Sequence, residues 1–235
     1  MNAQIFSHEK LIGTAEIQVG DENMGHVYGN LSPTENYYNY VQPAVWEFWA
    51  SNKPDYIKWG SLKFNVQLDN GCFLFAAGGL TFDDLKESQA EKIRIDIAGV
   101  DRYIIDDFFL QIEPRPFVVE PWETISIGQK IAFEEELKKE LGIINNPKSI
   151  LKFLKSTDND HVLSNFEAYA LCHDGRCDDV LFRVRKDGFD KEFALVHLTW
   201  RGNKEAKGWP NVSFYDDYDD FKYSKMYPDK ADWEY

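Results

Sequence analysis

The stretch LCHDGRCDDVLFRVR, residues 171 to 185, gathers Cys172, Cys177, His173 and the carboxylates Asp174, Asp178 and Asp179. Side chains of these types can bind zinc, cycle between thiol and disulfide, or move protons. A zinc site needs about four N, S or O ligands. Cys172, His173 and Cys177 offer three; no second Cys pair follows, and Cys72 lies far off in the chain. The redox signature C-x-x-C is absent, because four residues separate Cys172 from Cys177. The plain reading is a tight turn between two strands, with Asp174–Gly175 as the turning pair.

Acid–base chemistry has its best candidate at His197. With Thr199, Phe193 and Leu195 it falls on one side of a predicted strand, and Asp178 or Asp179 can approach through the neighbouring strands. A histidine with a carboxylate partner can act as a general base. No Gly-flanked serine elbow, H-E-x-x-H pair or phosphate loop accompanies it. A histidine among apolar strand neighbours also fits a partly buried structural role. Two further acid pairs, Asp83–Asp84 in FDDL and Asp106–Asp107 in DDFF, suit either a divalent cation or a helix start, where the dipole favours negative charge. The helix start is the stronger expectation.

The C-terminal run FYDDYDDFKYSKMYPDKADWEY interleaves Asp216, Asp217, Asp219 and Asp220 with Tyr215, Tyr218, Phe221 and Tyr223. Phe214, Tyr218 and Phe221 recur at helical spacing, which predicts a final helix docked on a sheet. The same residues form a recognition surface in which tyrosines anchor and carboxylates pair with Lys or Arg of a partner. The candidate partner-binding residues are therefore Tyr215, Asp216, Asp217, Tyr218, Asp219 and Asp220.

The elements that must position these residues are legible from periodicity. Residues 165–172, 179–185 and 192–200 predict a three-stranded antiparallel meander, turned at Asp174–Gly175 and Asp187–Gly188. In its middle strand Val180, Phe182 and Val184 share one face, and Leu181, Arg183 and Arg185 share a wetter one. Upstream, 11–19 and 24–31 read as a hairpin. A helix follows from Ser32, interrupted near Pro43. LKFNVQLDNGCFLFAAGG reads as a second hairpin turned at Asn70–Gly71, and 92–100 as a half-buried strand. Prolines 114, 116 and 121 mark 112–128 as irregular chain. Helices are expected over 132–142, stopped at Gly142, and over 145–156. The predicted fold is α+β: two small units of antiparallel sheet, each with helices on one face. Residues 1–115 form an N-terminal domain, 116–147 a linker with a short helix, and 148–235 a β-meander domain with a terminal helix.

Composition narrows the function classes. The chain has 235 residues, enough for a sizeable core, and 43% of them are hydrophobic. Lys and Arg number 26 against 40 Asp and Glu, a net charge of −14. That sign repels phosphate backbones and speeds encounter with a basic protein. No apolar run is long enough for a membrane span, and no secretory signal opens the chain. Three cysteines do not make a disulfide framework. A cytoplasmic location is expected, with no cofactor and no metal.

RCDDVLFRV, ALVHLTW and WPNVSFYDDYDDF together resemble an uncharacterised bacterial domain family over roughly 160–235, carried by Arg176, Asp178, Asp179, His197, Thr199 and Trp200. GTAEIQV and MGHVYGNLSP similarly resemble an uncharacterised bacterial domain. Neither resemblance implies an activity. The acidic character is similar to that of immunity proteins of bacterial toxin systems. That likeness implies an inhibitor that neutralises a basic toxin by occlusion. The alternative is a small hydrolase using His197 with Asp178 or Asp179.

Overall fold

Alternation builds the N-terminal sheet. In β2 (Lys10–Asp21), Ala15 and Ile17 turn inward while Thr14, Glu16 and Gln18 face out. In β6 (Ile93–Val100), Ile93, Ile95 and Ile97 are buried and Arg94 is exposed. Each buried isoleucine contributes about 1.5–3 kcal/mol by leaving water. The computed structural model describes residues 1–86, 92–113, 115–143, 161–206 and 208–234. It divides into two units, Met1–Phe117 and Val118–Tyr235. Both combine antiparallel sheet with helices, so the protein is α+β.

The N-terminal unit holds six strands in the order β4-β1-β2-β3-β6-β5. Besides β2 and β6 these are β1 (Asn2–Ser7), β3 (His26–Pro33), β4 (Phe64–Leu68) and β5 (Ala76–Asp83). Two differences from the sequence reading matter. First, β1 is an extra strand, inserted between β2 and β4. Second, the hairpin at Asn70–Gly71 is short. Gly71 takes φ 89° as the turn requires, but beyond the bridge Gln67–Phe73 the chain leaves, and β5 pairs with β6 instead. The pairing turns Leu80 and Phe82 into the core. A π-helical turn (Tyr37–Val41) runs into α1 (Gln42–Ala50), so the helix restarts just before Pro43. α2 is Tyr56–Ser61, and α3 (Arg102–Ile104) continues as a second π turn, Ile105–Phe109.

The C-terminal unit holds five strands, β11-β10-β9-β8-β7. The meander is β8 (Glu167–Asp174), β9 (Asp179–Arg185) and β10 (Phe193–His197). β7 (Trp122–Thr124) and β11 (Asn211–Tyr215) add its edges. Residues 116–147, read as a linker, hold β7 and α4 (Ile127–Glu140). The start of α4 is fixed by a capping box in which Ser126 accepts from the Gln129 amide and Gln129 bonds back. The predicted helix over 145–156 lies outside the described residues.

Helices cover both faces of this sheet, not one. On one face α4 meets β8: Phe133 packs on the His173 ring at 5.7 Å, Lys130 Nζ donates to the Ala170 carbonyl, and Glu134 accepts from the Ala170 amide. On the other lies the terminal segment: α5 (Tyr218–Phe221), a π turn (Lys222–Met226) and α6 (Tyr227–Trp233). Tyr218 packs on Phe193, and Phe221 stands perpendicular to Trp122 at 4.9 Å. Leu181 and Arg183, expected on a wet face, are therefore buried. Arg183 satisfies its guanidinium on the Val184 and Glu192 carbonyls.

Candidate functional site

The HDGRC turn is held by a charge cluster. Asp174, 1% exposed, accepts from the Arg176 backbone amide and receives its guanidinium on both oxygens. Arg176 also reaches Asp229 of α6 at 3.2 Å, and Asp229 accepts from Trp122 Nε1 and Lys225 Nζ. One arginine thus ties the β8–β9 turn to the terminal segment. Burial alone would raise the Asp174 carboxyl. The side-chain and backbone hydrogen bonds from Arg176 outweigh it and hold the group below its ordinary value. Gly175 does not take a positive φ. A side chain there would meet Glu123 Oε1 at 2.7 Å and the Pro121 carbonyl at 3.2 Å. Close approach to the Pro121 carbonyl, and not backbone conformation, is what favours glycine, since the exposed Glu123 side chain can turn away.

No cysteine is in a disulfide: Cys72 and Cys172 are buried, and Cys177 is exposed. Among the described residues no group of three or more His, Cys, Asp or Glu side chains is placed to hold a metal ion.

His197 and Asp179 are paired. They sit opposite each other in the β9–β10 ladder, with His197 Nδ1 2.7 Å from Asp179 Oδ1. The imidazole is 44% exposed, enough to exchange protons with solvent. Asp178 is directed elsewhere, accepting from Trp200 Nε1 at 3.1 Å. Thr199 leaves the site too. β10 ends at His197, and the Thr199 amide and hydroxyl donate to the buried Glu140 of α4.

The terminal segment separates the six candidate partner-binding residues. Tyr218 is 1% exposed and belongs to the core, which corrects its assignment to a surface. Tyr215 is half-buried against Phe221. Burial, then the charges of Asp220, Asp229 and Asp179, push its phenol up to about 12. Asp217 caps α5 by accepting from the Asp220 amide, and Asp220 accepts in return from the Asp216 amide. Asp216 and Asp219 are exposed and pair with Lys191 and Lys222. No family model matches the chain, and neither curated proteins nor solved structures give a match.

The outward face of the segment continues beyond the predicted residues. Tyr223 and Tyr227 are exposed and pack edge to face at 5.4 Å; Trp233 is exposed as well. Tyr223 and Tyr227 continue, at a spacing of four from Asp219, an exposed stripe that Asp216 opens, opposite the buried Tyr218, Phe221 and Met226. The spacing of four from Tyr223 to Tyr227 is the signal that extends the site.

Of the acid pairs, DDFF falls in the first turn of a π-helical element, and residues 87–91, just beyond FDDL, lie outside the described ones. Asp84 is buried after β5 and accepts from Tyr37, Gln42 and Trp46. Asp106 and Asp107 lie in the π turn after α3 and pair with Arg102 and Arg115. No described helix is long and apolar enough to cross a membrane.

Proposed function

We propose that this protein is an acidic binding protein of the immunity type, which occludes a basic partner such as a toxin. The observation that carries the reading is the stripe of Asp216, Asp219, Tyr223 and Tyr227, exposed on a segment whose other face is anchored in the core. Anchoring matters because an ordered aromatic surface loses little conformational entropy on binding. Tyrosines supply contact area, and carboxylates of a chain at −14 steer a basic protein. The present partners of Asp216 and Asp219 are lysines of the same unit. The Asp216–Lys191 pair is exposed on both sides and worth little, so a partner's Lys or Arg can replace Lys191, whereas Asp219 also neutralises the buried Lys222. The test is affinity for the captured partner after Tyr223→Ala with Tyr227→Ala, and separately after the charge reversals Asp216→Lys and Asp216→Arg. The aromatic pair is expected to lose about 100-fold, some ~2–3 kcal/mol. The charge reversals should mainly slow association.

One observation favours a second reading, a small hydrolase: the 2.7 Å His197–Asp179 pair, partly exposed where two interior strands end. There Asp179 would orient the ring and His197 would activate water. Under this reading His197→Gln abolishes turnover in a screen of ester and amide substrates. Under the leading reading the same substitution leaves partner affinity unchanged.

A further inference from the structure

The N-terminal unit carries two hollows that the proposed function does not use. One, of about 790 Å³, lies over the outward face of the sheet and includes Gln4, Thr14, Ser32 and Gln67. These four stand in one row, because Gln4 pairs with both Gln67 and Thr14, and Thr14 pairs with Ser32. The carboxylates of Glu16 and Asp69 line the same hollow, and Gln67 Nε2 donates to the Gly71 carbonyl; the row itself carries no charge. Each of its side chains is both donor and acceptor. Ser32 also lines the second hollow, of about 870 Å³, with Lys92, Tyr38 and Trp46.

Trp46 is held in place from below. Its indole N–H donates to Asp84 Oδ1 at 3.3 Å, while Tyr37 Oη and Gln42 Nε2 donate to Oδ2 at 2.8 and 3.0 Å. Asp84 is only 7% exposed, so the carboxylate works as a buried bracket that fixes the ring plane. Lys86 lies over one part of the ring, its Nζ 5.6 Å from the centroid.

We propose that these two hollows, which meet at Ser32, bind an oligosaccharide. Sugar hydroxyls need groups that both donate and accept, and Gln4, Thr14 and Ser32 repeat such groups at a strand spacing of about 4.8 Å, the scale of successive sugar rings along a chain. The apolar C–H face of a sugar ring stacks on an aromatic face, which is electron-rich. Trp46 offers such a face, in an orientation already set. A nucleic acid of similar length is repelled by the chain's −14 charge. The inference is independent of the C-terminal stripe.

The test is titration calorimetry with cellohexaose, maltohexaose, chitohexaose and xylohexaose, each against its monosaccharide. At least one hexasaccharide is expected to bind with Kd below about 1 mM and about tenfold or more tighter than its monosaccharide. Gln4→Ala with Thr14→Ala, both exposed, should weaken it about tenfold or more without moving the thermal midpoint. Trp46→Leu should also weaken binding about tenfold or more, with a lower thermal midpoint because the buried Asp84 loses a donor. The inference is overturned if none of the four binds at about 10 mM, if no hexasaccharide exceeds its monosaccharide, or if binding survives the Gln4 and Thr14 substitutions.

Discussion

Arg176 shows how much one side chain holds together. It neutralises Asp174 inside the unit and bridges to Asp229. Arg176→Ala leaves a carboxylate that is 1% exposed without its cation. Breaking a buried pair from one side is expensive, and a loss of about 3 kcal/mol is expected in urea unfolding. The sign of the pH effect follows from the depressed Asp174 carboxyl. Its folded value lies below the ordinary 3.8, so the unfolded chain takes up the proton first. The contribution is therefore fully present above about pH 4 and is lost as pH falls through the folded value. Asp174→Asn should flatten the fall in unfolding free energy over that range; an unchanged slope would count against this assignment. Residue types disclosed the turn and brought His197 near Asp178 or Asp179, although only the strand register selects Asp179. They did not disclose Asp84, because its three donors come from residues 47, 42 and 38 positions away.

The terminal segment divides by helical period into a buried and an exposed stripe. Tyr218→Ala and Phe221→Ala each empty a buried core position. Each should cost about 3–5 kcal/mol. The Tyr223 ring is 67% exposed. Tyr223→Ala should therefore stay within about 0.5 kcal/mol. Equal losses for all three would mean the segment is not anchored as described. The meander and the β2–β3 hairpin were legible, since each joins alternation to a clear turn. β1 was not: a bulge at Ile5–Phe6 puts Ile5, Phe6 and Ser7 all out of solvent, which breaks the period of two. α4 starts at Ile127, ahead of its predicted position at 132. Ser126 and Gln129 carry the capping signal, but the nearby prolines obscured it. β9 was read as half-wet because arginine is usually exposed; Arg183 is buried with carbonyl partners.

At the scale of the whole molecule, charge and exposed aromatics point the same way. A chain at −14 presents tyrosines beside carboxylates on a segment that the core holds in place. Binding to a basic partner should then combine a salt-sensitive association with an aromatic anchor that salt does not remove. The most direct test is capture of the tagged protein from its own cells, at low and at high salt, with partners identified by mass spectrometry. The expected result is one near-stoichiometric basic protein, weakened by salt and lost when Tyr223 and Tyr227 are both replaced by alanine. A basic partner that the double variant retains in full, or no specific partner at either salt, would contradict the binding-protein reading.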